Sequence, residues 1–208
     1  IVGFSGILAS MNSDIDEEKQ EYIQIIENNN NLLLQLINDI LDLSKIEAGT
    51  LEFTFSEVDV KQLMLDIEQL FRMRLEDKAA VIQIIRETPA DECIMYTDRN
   101  RLQQVVSNFM TNAVKFTDEG SITFGYNRCA EGLYFYVKDT GSGIPEDKVN
   151  HIFERFVKLN SFVQGTGLGL SICKLIIKRL GGEIWVDSGY TAGARFVFIH
   201  PLKQEVVR

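Results

Sequence analysis

The long run of residues between Glu17 and Glu47 constrains the fold of this chain more than any other feature. Its apolar residues recur mostly at spacings of three and four, which is typical of one face of an amphipathic helix. At roughly 1.5 Å per residue, such a helix would be about 45 Å long, too long to cover a small domain alone. The stripe therefore predicts a partner helix, in a coiled coil or a helical bundle.

The residues that flank this run predict where the helix begins and ends. Asp14 or Asp16 supplies N-cap chemistry, and Gly49 ends the helix. The segment "ILAS", before the loop "MNSD", is predicted to end an earlier helix. We therefore expect a helical part over residues 1–48, whose pattern begins part-way through that earlier helix, and a second domain over residues 51–208.

From Leu51 onward the pattern changes to strands that arrive in consecutive pairs, with helices between them. This order predicts an α+β fold, a two-layer α/β sandwich in which a mixed sheet carries helices on one face. The predicted strands cover 51–60, 80–87, 92–98, 120–129, 133–141, 183–189 and 193–201, and the predicted helices cover 60–78, 98–117 and 168–182. Asp98 is the predicted N-cap of the second of these helices.

The composition excludes several classes of function. Apolar residues make up 45% and charged residues 25%, a balance typical of a globular protein with a sizeable core. The net charge of -9 argues against a nucleic-acid binder, and no apolar run reaches the ~20 residues of a membrane span. The three cysteines are scattered, without metal-ligand spacing, which favours a reducing cytoplasm. The two histidines are too few to favour a zinc site or a Ser-His-Asp triad.

The segment "GTGLGLSICK", Gly165 to Lys174, is a glycine-rich loop followed at once by a predicted helix. A dinucleotide fingerprint would need glycine where Leu170 stands and a strand before the loop, and a Walker loop would need a Gly-Lys-Ser or Gly-Lys-Thr sequence. What remains is a helix N-terminus whose free N–H groups favour an anion such as phosphate. The alternative is a flexible loop with a tight helix start.

The segment "KDTGSGIP" places a carboxylate at the end of an apolar strand. Asp139 can accept a hydrogen bond from an exocyclic amine, and Gly141 and Gly143 can let a flat ring approach the backbone. The alternative is an ordinary Asp-Thr-Gly turn.

The segment "NFMTNAVKFT" aligns three polar side chains along a predicted helix. Asn108, Asn112 and Lys115 stand at i, i+4 and i+7, so they share one face. Two carboxamides and a lysine offer oxygen ligands for magnesium and a positive charge for phosphate. The alternative is a solvated helix face.

In this order and at these separations, "NFMTNAVKFT", "DTGSGIP", "IFERF" and "GTGLGLSICK" resemble the N, G1, F and G2 boxes of sensor histidine kinases. The segment "LLQLINDILDLSKIEAG" also resembles the second helix of their dimerisation domain, so the resemblance covers nearly the whole chain. It implies an ATP-binding domain of the GHKL type, shared with DNA gyrase and mismatch-repair ATPases. The helical part would then be a partial dimerisation domain, with the end of its first helix and its second helix.

The resemblance also implies the role of each matching residue. Asn112 would bind magnesium through its side-chain oxygen, Lys115 would bind a phosphate and Asp139 would accept from the adenine amino group. "FERFVKLNSFVQ" would be a mobile lid, hinged at the glycine loop. The implied catalytic residues are Asn108 and Lys115, and the implied nucleotide-binding residues are Asn108, Asn112, Lys115, Asp139, Gly141, Gly143, Ile144, Lys158, Gly165, Thr166, Gly167, Leu168 and Gly169.

One position separates kinase from ATPase chemistry. In the related ATPases, a glutamate stands at the position of Asn108 and activates water, whereas an asparagine cannot act as a general base. A neutral imidazole is already nucleophilic once it is in line with the γ-phosphate, so Asn108 favours transfer to a histidine. Three alternatives stay open: a non-catalytic nucleotide sensor, a GHKL-type ATPase that drives conformational work, and a structural helical dimeriser.

The resemblance finally implies partners and a missing group. The acceptor histidine of the family lies on the first dimerisation helix, just before "IVGFSGIL", so we expect this fragment to lack it. His151 and His200 lie outside the matching motif, the first at a surface helix end and the second in a structural position. The implied partners are ATP with magnesium, a second copy bound through the helical domain, and a response-regulator receiver domain on the exposed face of the Glu17–Glu47 helix. The implied location is cytoplasmic, although membrane anchoring of the parent protein is common in the family.

Overall fold

The computed structural model describes residues 17–75, 81–158 and 165–202, with side chains from residue 23 onward. The predicted end of an earlier helix, both N-cap candidates Asp14 and Asp16, and the last residues of the predicted 60–78 helix lie outside these ranges.

Helix α1 spans Glu17–Glu47, as the apolar stripe predicts. It ends before Gly49, which takes the left-handed φ of 69° that a helix-ending glycine commonly adopts. Leu36 and Leu43 near its C-terminal end pack against the core of the second part of the chain. Along the rest of the described helix, seven large apolar side chains are 45% to 54% exposed: Ile25, Ile26, Leu33, Leu34, Ile37, Ile40 and Leu41.

Seven strands and four helices follow α1 in the described residues. In chain order they are β1 (Ser56–Asp59), α2 (Val60–Arg74), β2 (Ile82–Glu87), β3 (Ile94–Thr97), α3 (Arg99–Phe116), β4 (Gly120–Arg128), β5 (Leu133–Asp139), α4 (Glu146–Val149), α5 (Gly169–Arg179), β6 (Glu183–Val186) and β7 (Arg195–His200). The short helix α4 has no counterpart among the predicted elements.

The main sheet is mixed, as predicted. Its five strands run in the order β2-β4-β5-β7-β6, with β2 parallel to β4 and every other pair antiparallel. Strands β1 and β3 form a separate two-stranded antiparallel sheet. The sandwich of a sheet and helices therefore confirms the predicted α+β class.

The predicted strand at 51–60 is wrong over its first half, where Leu51 to Phe55 form no strand. The amide of Thr54 donates to Oδ2 of Asp98 at 2.8 Å, so this backbone is satisfied by a side chain instead of a neighbouring strand. The strand also ends early, because Asp59 caps helix α2 by accepting from the amide of Gln62 at 3.1 Å.

The core lies between the main sheet and the apolar faces of α2, α3 and α5. Helix α3 buries Val105, Val106, Phe109 and Ala113. The ring of Phe109 lies 5.1 Å from that of Phe196 and 6.0 Å from that of Phe198, centroid to centroid, both on β7. These contacts fix the polar face of α3 on the side away from the sheet.

Asp98 is the N-cap of α3, which confirms that prediction. Its Oδ1 accepts from the amide of Arg101 at 3.0 Å, while its Oδ2 holds the amide of Thr54. One buried carboxylate therefore orients the start of α3 and the segment before β1 together.

His200 is fully buried at the end of β7 and has a structural role, as its position predicts. Its Nδ1 lies 2.8 Å from the carbonyl oxygen of Pro201, which can only accept, so Nδ1 carries the proton. Its Nε2 is then free to accept from the hydroxyl of Thr97 at 2.7 Å. Burial lowers the pKa of this histidine, against a smaller raising effect from the Pro201 carbonyl.

This buried neutral histidine predicts a loss of stability in mild acid. The unfolded chain binds a proton at the ordinary histidine pKa near 6.5, whereas the folded chain binds it only at lower pH. The free energy of unfolding should therefore fall as the pH drops from about 6.5, and His200→Asn should flatten that slope in denaturant titrations. The control replaces the exposed His151 in the same way. An equal flattening in both variants would contradict the assignment.

Candidate functional site

A cavity of about 300 Å³ opens beside the polar face of α3. Its wall combines that face with the end of β5, the glycine loop before α5, and part of α1. The three sequence segments that were singled out for their chemistry therefore meet at one place, although they are separated along the chain.

The polar row of α3 faces this cavity. Asn108, Asn112 and Lys115 all belong to its lining, one to two turns apart. The Nδ2 of Asn108 donates to the carbonyl oxygen of Gly169 at 3.4 Å, so this carboxamide is tied to the start of α5. The half-buried carboxamide of Asn112 has no hydrogen-bond partner within the described ranges, which leaves it available to a ligand.

Lys115 brings a positive charge to the cavity that is not balanced by any carboxylate in the described part of the chain. Its ammonium lies 5.2 Å from the ring centroid of Phe116, and no carboxylate of the described residues is within 4.0 Å of it. Burial lowers the pKa of Lys115, and the charge of Lys158 lowers it further. Two cations at one cavity, with no anion of the described chain between them, favour a negatively charged ligand.

Asp139 ends β5 as a carboxylate that is only 2% exposed. Its Oδ1 accepts from the amide of Gly141 at 2.9 Å and from that of Ala194 at 3.1 Å. Its Oδ2 has no hydrogen-bond partner among the residues that the structure describes. Burial raises the pKa of Asp139, and the two amide bonds offset part of that rise. The side chain is therefore held rigidly with one oxygen left for a donor in the cavity.

The glycine loop needs glycine for two separate reasons. Gly167 has a φ of 72°, and a Cβ there would lie 2.9 Å from Cα of Phe156. A Cβ at Gly169 would lie 2.8 Å from Oδ1 of Asn108. Helix α5 then begins at Gly169 without a side-chain cap, so its first amides are available to an anion.

Phe156 lies in the predicted lid and has an unusual backbone conformation. Its φ of 61° is uncommon for a residue with a side chain, and its ring is 66% exposed. The amide of Phe156 donates to the carbonyl oxygen of Gly167 at 2.9 Å, which joins this segment to the glycine loop. Residues 159–164 of the predicted lid lie outside the described residues.

Two of the predicted nucleotide-binding residues do not line the cavity, and the others do. Leu168 is fully buried in the core, because it closes the first turn of α5 from inside. Gly141 instead packs against the carbonyl group of Phe116 and supplies an amide to Asp139. Both residues therefore support the cavity wall from behind.

Several lining residues have no signal in the sequence motifs. Ala194 and Phe196 reach the cavity because β7 lies next to β5, a pairing that depends on the sheet order. Asn28, Asn31 and Gln35 reach it because α1 lies across the opening. They stand on the polar side of the stripe, where a solvated face is the ordinary expectation.

The described part of the chain offers neither a metal-binding cluster nor a membrane-spanning helix. No group of three or more His, Cys, Asp and Glu side chains there could hold a metal ion. No helix in those ranges has the length and hydrophobicity to cross a membrane.

Two family models match the chain. Residues 97–204 match the model of histidine kinase-, DNA gyrase B-, and HSP90-like ATPases, and residues 1–49 match that of the His Kinase A (phospho-acceptor) domain. The first match covers the cavity and every element that surrounds it except α1.

Curated proteins of the same kind align with most of the chain. Sensor histidine kinase WalK of Bacillus subtilis is 32% identical over 88% of this chain, and sensor histidine kinase RcsC of Escherichia coli is 36% identical over 86%. The chain spans 31% of the length of the first and 19% of the second, so these relatives are much longer.

Solved structures extend the likeness to three dimensions. The catalytic domain of histidine kinase ThkA matches with a TM-score of 0.65 and 31% identity, over 72% of this chain and 97% of that one. Full-length ShkA in complex with AMPPNP matches with a TM-score of 0.80 and 29% identity, over 98% of this chain and 42% of that one. The chain belongs to the sensor histidine kinases, with a dimerisation part and an ATPase part within the family of histidine kinase-, DNA gyrase B-, and HSP90-like ATPases.

Proposed function

We propose that this chain binds ATP with magnesium and transfers the γ-phosphate to a histidine of the dimerisation domain, for relay to an aspartate of a response regulator. One observation carries the proposal: the same cavity is lined by a buried carboxylate and a lysine, and within the described ranges one carboxylate oxygen has no donor and the lysine has no carboxylate partner. A ligand that complements both must donate a hydrogen bond from an apolar ring and carry negative charge. A purine nucleotide does both.

The adenine ring is assigned to the Asp139 side of the cavity. The free Oδ2 of Asp139 would accept from the exocyclic amine, while Ile144, Ile152 and Phe196 supply apolar wall. A rigid acceptor among apolar side chains should favour adenine strongly over a ring without the exocyclic amine, because such a ring would leave the carboxylate unpaired.

The phosphates are assigned to Lys115, Lys158 and the glycine loop. The loop supplies amides at the uncapped start of α5, and Lys115 is desolvated, which strengthens its attraction for an anion. The family likeness to ShkA, solved with AMPPNP, supports the same class of ligand.

Magnesium fits the cavity only as a metal shared with the nucleotide. Asn112 offers one amide oxygen, and the described residues hold no carboxylate cluster that could complete a protein cage. Magnesium sites in phosphotransfer enzymes use few protein ligands, with phosphate oxygens and water as the rest. The metal, when bound, neutralises charge on those oxygens.

Asn108 supports transfer over hydrolysis. Its carboxamide is tied to the Gly169 carbonyl and has no basicity with which to activate water. In the transfer, the histidine nitrogen forms a bond to the γ-phosphorus while the bond to the bridging oxygen breaks, which leaves ADP. The chain contributes by positioning both groups.

Two alternatives remain distinguishable from this function. An ATPase that drives conformational work would hydrolyse ATP steadily, at a rate that Asn108→Ala abolishes. A nucleotide sensor would bind ATP, yet leave a supplied dimerisation helix unphosphorylated. The structural-dimeriser alternative leaves the cavity unexplained.

The proposed partners rest on α1 and on family likeness. The exposed apolar side chains of α1 support a second copy as the partner of this helix. A receiver domain is proposed to dock on the exposed face of α1, and ThkA has been solved in complex with the response regulator TrrA. Neither His200 nor His151 is proposed as the acceptor, because His200 is buried and His151 is paired with Glu154. The three free cysteines support a cytoplasmic location.

Replacing Asp139 tests the adenine assignment. Asp139→Ala should weaken ATP binding by about 1–3 kcal/mol, the cost of leaving a buried amine unpaired, as measured by calorimetric titration. Asp147→Ala, which removes an exposed carboxylate of α4, is the control and should bind ATP as the parent does. Equal affinity in the parent and Asp139→Ala would remove Asp139 from the nucleotide pocket.

Replacing Asn112 tests the metal assignment. Asn112→Ala should abolish the increase in ATP affinity that magnesium produces, because the carboxamide oxygen is the proposed protein ligand. Paired titrations with and without magnesium measure this, and Asn127→Ala, an exposed asparagine of β4, is the control. Retained magnesium dependence in Asn112→Ala would mean that another residue holds the metal.

A further inference from the structure

A carboxylate of α1 is bonded directly to the glycine loop. Oδ2 of Asp39 accepts from the hydroxyl of Thr166 at 2.8 Å, and the Thr166 oxygen accepts in turn from the amide of Leu168 at 3.2 Å. Asp39 is 7% exposed, so this contact is part of the packed structure. The loop that is proposed to hold phosphate is thus already hydrogen-bonded to an acidic side chain of the dimerisation helix.

This carboxylate lacks the balancing cation that its neighbour has. Asp42, three residues further along α1, lies 2.9 Å from Arg101 and also accepts from Gln104 at 2.9 Å. No cation of the described residues lies within 4.0 Å of Asp39, which bonds only to the neutral Thr166 hydroxyl. Burial raises the pKa of Asp39, the Thr166 bond lowers it, and the charge of Asp42 raises it. Ionisation of the Asp39 carboxyl is therefore already unfavourable at this position before any ligand binds.

The residues of α1 that line the cavity are uncharged, and Asp39 is not among them. Asn28, Asn31 and Gln35 present carboxamides to the cavity, and Asp39 follows one turn beyond Gln35. Opposite these groups stand the cations Lys115 and Lys158. A further ion pair between α1 and the later part of the chain joins Arg155 to Glu47, at the C-terminal end of the helix. Asp39 is thus a carboxylate of α1 in direct contact with the glycine loop.

We propose that Asp39 makes the docking of α1 and the binding of nucleotide phosphate oppose each other. The carboxylate holds α1 on the loop while the loop is free of anion, and phosphate oxygens on the same loop repel it. By linkage, what favours docking disfavours nucleotide to the same extent. The inference rests on the proposed nucleotide site and adds a coupling between that site and the dimerisation helix.

Removing the charge while keeping the shape tests this coupling. Asp39→Asn can still accept from Thr166 through its amide oxygen, so it removes the negative charge and keeps this hydrogen bond and the side-chain size. It should tighten ATP binding by about three- to tenfold at low salt, by a gain that shrinks at high salt. Adenosine, which has no phosphate, should bind Asp39→Asn and the parent equally. Asp42→Asn is the matched control, because its carboxylate is balanced by Arg101 and lies off the loop.

Each contrary outcome has a distinct meaning. Unchanged or weaker ATP binding by Asp39→Asn would overturn the proposal and leave the nucleotide site intact. A gain that adenosine shares, or that Asp42→Asn reproduces in full, would also overturn it, because the effect would then not come from charge at the loop. Failure of the parent chain to bind ATP would overturn both this inference and the proposed function.

Discussion

The site depends on one buried carboxylate and on the two amides that hold it. Asp139 accepts from Gly141, in the turn after β5, and from Ala194, just before β7. These bonds join three segments around a single oxygen and leave the other oxygen facing the cavity. A charge this deeply buried is tolerated because backbone donors replace part of its hydration. The same arrangement holds the second carboxylate oxygen in a fixed position, where it can act as a specific hydrogen-bond acceptor.

The packing of α3 against the main sheet positions the polar residues on the other side of the cavity. Phe109 packs against the aromatic rings of β7, so the opposite face of α3 must point its carboxamides and lysine toward the glycine loop. Asn108 contacts Gly169 so closely that a side chain there would collide with it. Helix packing therefore sets the distance between the polar row and the start of α5, and with it the space left for the proposed phosphates.

Local signals were sufficient to predict much of the fold. The bounds of α1 and the Asp98 cap follow from residues that are close in sequence, since helix periodicity and capping are local. The parallel pairing of β2 with β4, the separation of β1 and β3, and the loss of strand structure at Leu51 to Phe55 depend on distant partners such as Asp98. The residues of the site also fall into those with a local sequence signal and those placed by tertiary packing. Its motif residues were visible as glycines and aligned polar groups, whereas Ala194 and the carboxamides of α1 enter the cavity only through tertiary packing.

The central claim is that Asp139 binds the adenine end of the ligand and Lys115 binds its phosphate end. Calorimetric titration of the parent chain and Lys115→Ala with adenosine, ADP and ATP tests it most directly. The account predicts that Lys115→Ala weakens ATP and ADP while adenosine binds as it does to the parent, because the lysine contacts only phosphate. Equal weakening of all three ligands, or no weakening of ATP, would contradict the account, since the cavity would then not hold a nucleotide in this orientation.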